Sequence, residues 1–473
     1  MLNNKKQKFC LFTFLVLTII FPHIETFAQK EPNLGLIYKD AKNRKGKNPI
    51  IIVPGILGSE LINKKTKEKV WYSVGRSDDD DLRLPIALDT KLSKDNLVPG
   101  DIIREVELTL LPDQKIYIQL INTLKGFGGY EEATWDNPPD DLKDKFFVFP
   151  YDWRRDNVET AHLLLQKLDK LRKDSKKTDE KFNVLAHSMG GLITRYAMMY
   201  GKADLPKGNP VPNWSGENYF NKVFLFGTPN EGSAGALKTL LNGSSSLGGS
   251  SNLPFVRNLS PVDIATMPSV FQLLPHSRTA RFFDEDLRPL NIDLYDVRTW
   301  RKYSWAIFKD PDYLKGFSEA EFGRFEQYFS IVLRRAEKFH QALDAASSKR
   351  ISVGLFIIGS DCKRTLDGIV LYQDEKHNKW VTLTEPDSFR NSKGIKIRGE
   401  QLKELMLKPG DGEVTRRSLL AESLAGNRRK SNLFDSALPL TYAMFICEDH
   451  KDITSNITIQ NNVLTALISE ANQ

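Results

Sequence analysis

Ser188 lies in the run FNVLAHSMGGLITRYAMMY, from Phe182 to Tyr200, where a short apolar stretch gives way to a helical pattern. Around it, Ala186-His187-Ser188-Met189-Gly190 has small residues two positions before and two after the serine. This is the form of a nucleophile elbow, with alanine where glycine is commoner. In such a turn the serine backbone is strained so that Oγ projects from the sheet. The flanking small residues let strand and helix approach each other. A serine at a helix start can also serve only as a cap, but the apolar strand before it and the amphipathic LITRYAMMY after it are the context an elbow requires. The chemistry would be attack on a carbonyl carbon. The Met189 amide then opens the helix toward the bound acyl group, and the helix dipole favours the negative charge that develops there.

A serine hydroxyl needs a base, and the base needs an orienting carboxylate. In a strand–elbow–helix setting these follow in the order serine, acid, histidine. The histidines after Ser188 are His276, His340, His377 and His450. His450 comes just past the apolar YAMFIC, where a last core strand would deliver a base. His276 lies in an irregular region, and His340 in a charged, helix-like one. His187 adjoins the serine and cannot turn back to accept its proton. Two aspartates compete for the acid. Asp361 ends GLFIIGSD, and Asp411 lies in the Gly-flanked KPGDGEVTRRS. Local sequence leaves both open. An oxyanion needs a second amide besides that of Met189. VPGILG offers it, because Gly55 and Gly58 let the backbone turn, and Ile56 is the candidate. The Asp78–Asp81 run lacks the glycine and ligand spacing of a calcium loop; neither a metal nor a cofactor is expected.

The elements that must hold these residues can be read from apolar runs. NPIIIVPGILGSEL, DKFFVFPYDW, NKVFLFGTPNEGS, RISVGLFIIGSD and TYAMFICEDH each read as a buried strand with a polar or Gly/Pro exit. VETAHLLLQKLDKLRKD has helical spacing with a charged opposite face. Strands alternating with helices indicate an α/β fold, a mostly parallel sheet covered by helices on both faces. Ligands of such sheets bind beyond the C-terminal strand ends, and the candidate residues follow those ends. The core is read as residues 48–60, 111–230 and 346–470. Residues 61–110 and 231–345 break the alternation and read as insertions.

The chain of 473 residues carries a formal charge of +7, with lysines and acids interleaved. No basic block carries the aromatics of a nucleic-acid groove, so nucleic acid is not an expected partner. MLNNKKQKFCLFTFLVLTIIF, followed by Ala28 before Gln29, has the layout of a secretory signal peptide over residues 1–28. Its apolar run is short for a membrane span. The expectation is an exported chain that is secreted, periplasmic or at the cell surface. Cys362 and Cys447 would remain, either as one disulfide or as two buried thiols.

Taken in order, PIIIVPGILGSEL, Trp71, YDWRRD, AHSMGG, FGTPNEGS, MPSVFQLLPHSR, GDGEVTRRS and EDH resemble the lecithin:cholesterol acyltransferase family, which includes lysosomal phospholipase A2 and the phospholipid:diacylglycerol acyltransferases. The resemblance runs over about residues 48–465. It implies an α/β-hydrolase core with a small membrane-contacting insertion at 61–110 and a cap or lid at 231–345. Carried over by position, it implies Ser188 as nucleophile, Asp411 rather than Asp361 as acid, His450 as base, and Ile56 and Met189 as oxyanion amides. It implies a peripheral lipid surface as partner, and an acyl-acceptor alcohol or water. The activity implied is that of a lipid acyltransferase or phospholipase working through an acyl-enzyme; a secreted carboxylesterase or triacylglycerol lipase is the alternative. Two features depart from the pattern: Ala186 replaces glycine, and no cysteine stands beside Trp71.

Overall fold

Ile50-Ile51-Ile52-Val53 is apolar at every position, which suits a strand covered on both faces. In the computed structural model all four residues are fully buried. The structure describes residues 31–72, 82–92, 94–108, 111–243, 259–276, 280–309, 318–347, 349–374, 377–425 and 435–469. The expected signal peptide and the Asp78–Asp81 run lie outside them.

Seven strands form the central sheet: β1 (Ile50–Val53), β2 (Glu131–Glu132), β3 (Lys145–Val148), β4 (Phe182–His187), β5 (Phe220–Phe226), β6 (Gly354–Gly359) and β7 (Tyr442–Phe445). Their order is β7-β6-β5-β4-β1-β3-β2, and every pairing is parallel. Side chains alternate along a strand, so the sheet divides its residues between two cores. Ile51, Val53, Val184, Ala186, Val223 and Leu225 belong to one. Ile50, Ile52, Leu185, Phe224 and Phe226 belong to the other.

Among the described residues, α1 (Ile118–Gly126), α2 (Asn157–Asp174), α3 (Met189–Tyr200) and, after them in the chain, α4 (Glu319–Leu343) and α5 (Ile457–Ile468) surround the sheet, with α4 packed against α3. Leu164 and Leu168 of α2, Leu192 and Tyr196 of α3, and Phe329 and Leu333 of α4 fill the first core. Leu120 and Leu124 of α1, with Val463 and Leu467 of α5, fill the second. Asp156 starts α2 by accepting bonds from the Val158 and Glu159 amides at 2.9 and 3.3 Å, which satisfies donors that the first helical turn leaves open. The same carboxylate pairs with Arg335 of α4 at 2.7 Å, tying the two helices together.

Smaller antiparallel sheets flank the core. Ser59–Asn63 pairs with Lys69–Trp71 and with Leu97–Ile102. A four-stranded sheet joins Arg281–Phe283 and Pro289–Leu290 to Gly368–Asp374 and Lys379–Leu383. Among the described residues no helix is long and apolar enough to cross a membrane.

Cys362 and Cys447 are disulfide-bonded across a separation of 85 residues. The bond joins the segment after β6 to the segment after β7, three residues before His450. Closing a loop of this size restricts the unfolded chain, and native bonds of this kind contribute about 2–4 kcal/mol. Replacing both cysteines with serine is expected to lower the urea midpoint by a corresponding amount. A midpoint that stays put, with and without reductant, would show that the bond contributes nothing.

Candidate active site

β4 ends at His187 and α3 begins at Met189, so Ser188 is the whole of the turn between them. Its backbone has φ +53° and ψ −123°, a conformation that costs a non-glycine residue of order 1–3 kcal/mol. Bonds on either side hold it there: Ser188 N–H donates to Phe226 O at 2.7 Å, and Gly191 N–H donates to Ser188 O at 3.0 Å. Gly190 shows why the position two beyond the serine must be small. A Cβ there would lie 2.6 Å from the carbonyl oxygens of both Val53 and Pro54.

His450, five residues beyond β7, brings its Nε2 to 3.0 Å from Ser188 Oγ. Its Nδ1 lies 2.8 Å from Asp411 Oδ2. A carboxylate only accepts, so Nδ1 carries the proton and Nε2 presents its lone pair to the serine. The Asp411 loop is rigid by construction. Oδ1 accepts from the amides of Glu413 and Val414 at 3.0 and 2.7 Å, and His450 N–H donates to Asp411 O at 2.9 Å. The two loops are thus joined through main chain as well as side chain.

The electrostatics follow from the pairing. Burial opposes the charged form of His450, but the Asp411 charge and hydrogen bond outweigh it, with Glu413 adding to them, and the imidazole pKa is raised above its ordinary 6.5. Burial likewise opposes ionisation of Asp411. The His450 charge, its hydrogen bond and the two loop amides prevail, and the carboxyl is lowered below its ordinary 3.8. Asp361, the other sequence candidate, is exposed and faces Arg416 at 4.0 Å; it is not brought to His450.

The Pro54–Gly58 loop closes on the serine from the neighbouring strand. Gly55 packs so tightly that a Cβ there would lie 2.9 Å from Ser188 Cβ. Tyr151 Oη donates to Pro54 O at 2.8 Å, Gly55 N–H donates to Tyr117 Oη at 2.9 Å, and Trp71 Nε1 donates to Leu57 O at 2.9 Å. Ile56, the oxyanion candidate, sits at the middle of this braced turn. The Met189 amide, first in α3, has no acceptor within its helix. Both amides therefore belong to segments that abut Ser188.

Several residues here gave little or no advance sign. Tyr117 sits in an unremarkable QKIYIQL, and nothing local marks its contact with Gly55. Trp71 and YDWRRD, which had only a motif-level signal, form the brace itself. Trp71 packs against Trp153 with ring centroids 5.4 Å apart, Trp153 Nε1 donates to Ser59 O at 3.1 Å, and the buried Arg154 pairs with Asp95 and Asp152 at 2.6 and 2.8 Å.

A parallel sheet whose strand–turn–helix serine stands beyond its C-terminal edge, with later strand ends delivering histidine and carboxylate, is an α/β-hydrolase fold. The fold is shared with a chain in the crystal structure of the Tle4–Tli4 complex, at TM-score 0.52 and 16% identity, covering 90% of this chain and 99% of that one. A looser likeness, to Bacillus licheniformis lipase BlEst2 in mature form, has TM-score 0.33 and 12% identity over 89% of this chain and 92% of that one; it is too loose to bear on the fold. Residues 141–343 match the family described as lecithin:cholesterol acyltransferase. Over 254 residues the sequence is 29% identical to lecithin-cholesterol acyltransferase-like 4 of Arabidopsis thaliana, 48% of this chain and 43% of that protein. The matched region is thus similar to the lecithin:cholesterol acyltransferase family. The match spans less than half the length of that plant relative.

Proposed function

We propose that this protein is a serine-dependent lipid acyltransferase or phospholipase that takes acyl chains from glycerolipid esters through an acyl-enzyme. The observation that carries this reading is the continuous line Ser188 Oγ, His450 Nε2, His450 Nδ1, Asp411 Oδ2, at 3.0 and 2.8 Å, in a chain of which residues 141–343 match a family named for acyl transfer between lipids.

In the proposed reaction Ser188 Oγ attacks the ester carbonyl carbon while His450 Nε2 takes the hydroxyl proton. Asp411 keeps the imidazole in the productive tautomer and stabilises the imidazolium. The amides of Ile56 and Met189 receive the oxyanion. Collapse breaks the ester C–O bond, and His450 returns its proton to the leaving alkoxide, which departs as an alcohol. An acceptor alcohol or water then gives a proton to His450 and attacks the acyl-serine; the second collapse breaks the acyl–Oγ bond, and His450 returns the proton to Ser188 Oγ. Every proton and electron pair is accounted for without a cofactor.

Action at a lipid surface outside the cytoplasm fits the signal-like N-terminus. The Cys362–Cys447 bond also supports it, since disulfides persist chiefly in oxidising compartments. The test uses vesicles of phosphatidylcholine labelled in the acyl chain, with and without a sterol, diacylglycerol or ceramide. Label is expected in free fatty acid, or in the acylated alcohol at the expense of fatty acid. Fast turnover of a short soluble ester, with no cleavage of phospholipid or neutral lipid, would overturn the lipid assignment and leave a carboxylesterase.

A further inference from the structure

His187, excluded as a base by its position, is fully occupied in another way. Its Nε2 lies 3.1 Å from the main-chain oxygen of His450. A carbonyl only accepts, so Nε2 carries the proton and Nδ1 is left as an acceptor. Nδ1 lies 2.9 Å from Tyr117 Oη, so the phenol donates to it. The same phenol oxygen accepts the Gly55 amide at 2.9 Å. Each group has one direction open to it, and the chain runs without a break: Gly55 N–H to Tyr117 Oη–H to His187 Nδ1, then His187 Nε2–H to the His450 carbonyl. Tyr117 is 1% exposed and His187 8%. The rings lie in contact, with centroids 5.8 Å apart for Tyr117 and His187 and 5.0 Å for His187 and His450. Burial, reinforced by the charge of His450, holds the His187 imidazole down to about 3. It therefore stays neutral, as the chain requires.

The two ends of this chain are the two loops that the proposed chemistry must hold in register. Gly55 immediately precedes Ile56, the oxyanion candidate, and His450 is the candidate base. We propose that Tyr117 and His187 are positioning residues that lock the Gly55–Ile56 loop and the His450 loop to each other about Ser188. This rests on the reading of Ser188 as the acylated residue. Neither side chain hydrogen-bonds to a reacting atom. Each acts by fixing a main-chain group of a residue that does, or of its neighbour.

The expected signature is a loss in turnover rather than in substrate binding. Misplacing a reacting group by about 1 Å costs on the order of 10²-fold, and loosening one link should cost about tenfold or more. Tyr117→Phe removes the hydroxyl and keeps the ring. His187→Leu removes the acceptor for Tyr117 and the donor to the His450 carbonyl together. Both variants break the Tyr117–His187 link, and Tyr117→Phe also removes the acceptor of the Gly55 amide. Each is expected to lower kcat about tenfold or more with KM within about twofold, and the double variant should be no worse than the poorer single. Wild-type protein is first treated with a fluorophosphonate. Absence of labelling at Ser188 would refute the acyl-enzyme reading and take this proposal down with it. With labelling present, unchanged kcat in the single variants, or losses that multiply in the double, would overturn the chain alone. Should Tyr117→Phe not fold, the kcat and KM of His187→Leu decide the matter.

Discussion

Ser188→Ala is expected to abolish turnover, by on the order of 10⁶-fold if the triad acts as a unit as it does in serine proteases, while leaving the protein folded. The substitution removes one oxygen. The backbone bonds that hold the turn, from Ser188 N–H to Phe226 O and from Gly191 N–H to Ser188 O, remain. Alanine meets the positive φ of +53° with the same Cβ that serine has, so the strain of the turn is little changed. The Oγ contact with His450 at 3.0 Å is lost, along with the reacting atom. A fluorophosphonate should label wild type stoichiometrically and the variant not at all, with matching thermal midpoints. A variant that is folded and still labelled would mean that another serine reacts.

The sheet was legible because parallel strands buried on both faces carry continuous apolar runs. IIIV, KFFV, FNVLAH, FNKVFLF, GLFIIG and YAMF are such runs, and all six became strands of one sheet. The edge strand Glu131–Glu132 was not legible. Two exposed or half-exposed glutamates paired at one side leave no apolar pattern. The accessory sheet was hidden for another reason. Arg281–Phe283 pairs with Gly368–Asp374, and a short strand whose partner is distant in sequence is stabilised by contacts that no local window contains.

The same division runs through the site. The serine turn is local: residue types, small neighbours and flanking patterns all lie within Phe182–Tyr200. His450 was within reach because it follows a strand-like run. The candidate acid was not decided by local sequence, since Asp361 and Asp411 both follow plausible exits. What separates them is the path of the chain after β6, which carries Asp361 to the surface and returns through Leu407–Gly410 to place Asp411 at 2.8 Å from His450. Tyr117 could not have been found, since its contacts with Gly55 and His187 join three separate segments. The Cys362–Cys447 pairing was open for the same reason, with 85 residues between the partners.

Asp411→Asn is expected to lower kcat by about 10⁴-fold, the size of the effect in the serine-protease triad, and to shift the acid limb of the pH profile. The tautomer explains the rate. Asp411 Oδ2 accepts the Nδ1 proton, which leaves the Nε2 lone pair facing Ser188. An asparagine can instead donate to Nδ1 and leave the proton on Nε2, where it can no longer take one from serine. The sign of the pH effect follows from the balance at His450. Its pKa is raised above 6.5 because the Asp411 charge and hydrogen bond outweigh burial. The base must be neutral, so wild-type activity should be lost as pH falls through a value above 6.5. Without the carboxylate, burial remains and its support is gone, so the residual activity should persist to lower pH. Asp361→Asn is the control. That side chain is exposed and 4.0 Å from Arg416, and surface pairs contribute little, about 0–1 kcal/mol. Its kcat and pH limb should match wild type within about twofold, the tolerance given above for an unaffected KM. A deeper loss in Asp361→Asn than in Asp411→Asn would place the acid on the other loop. An Asp411→Asn limb that stays at the wild-type pH would show that another group governs the base.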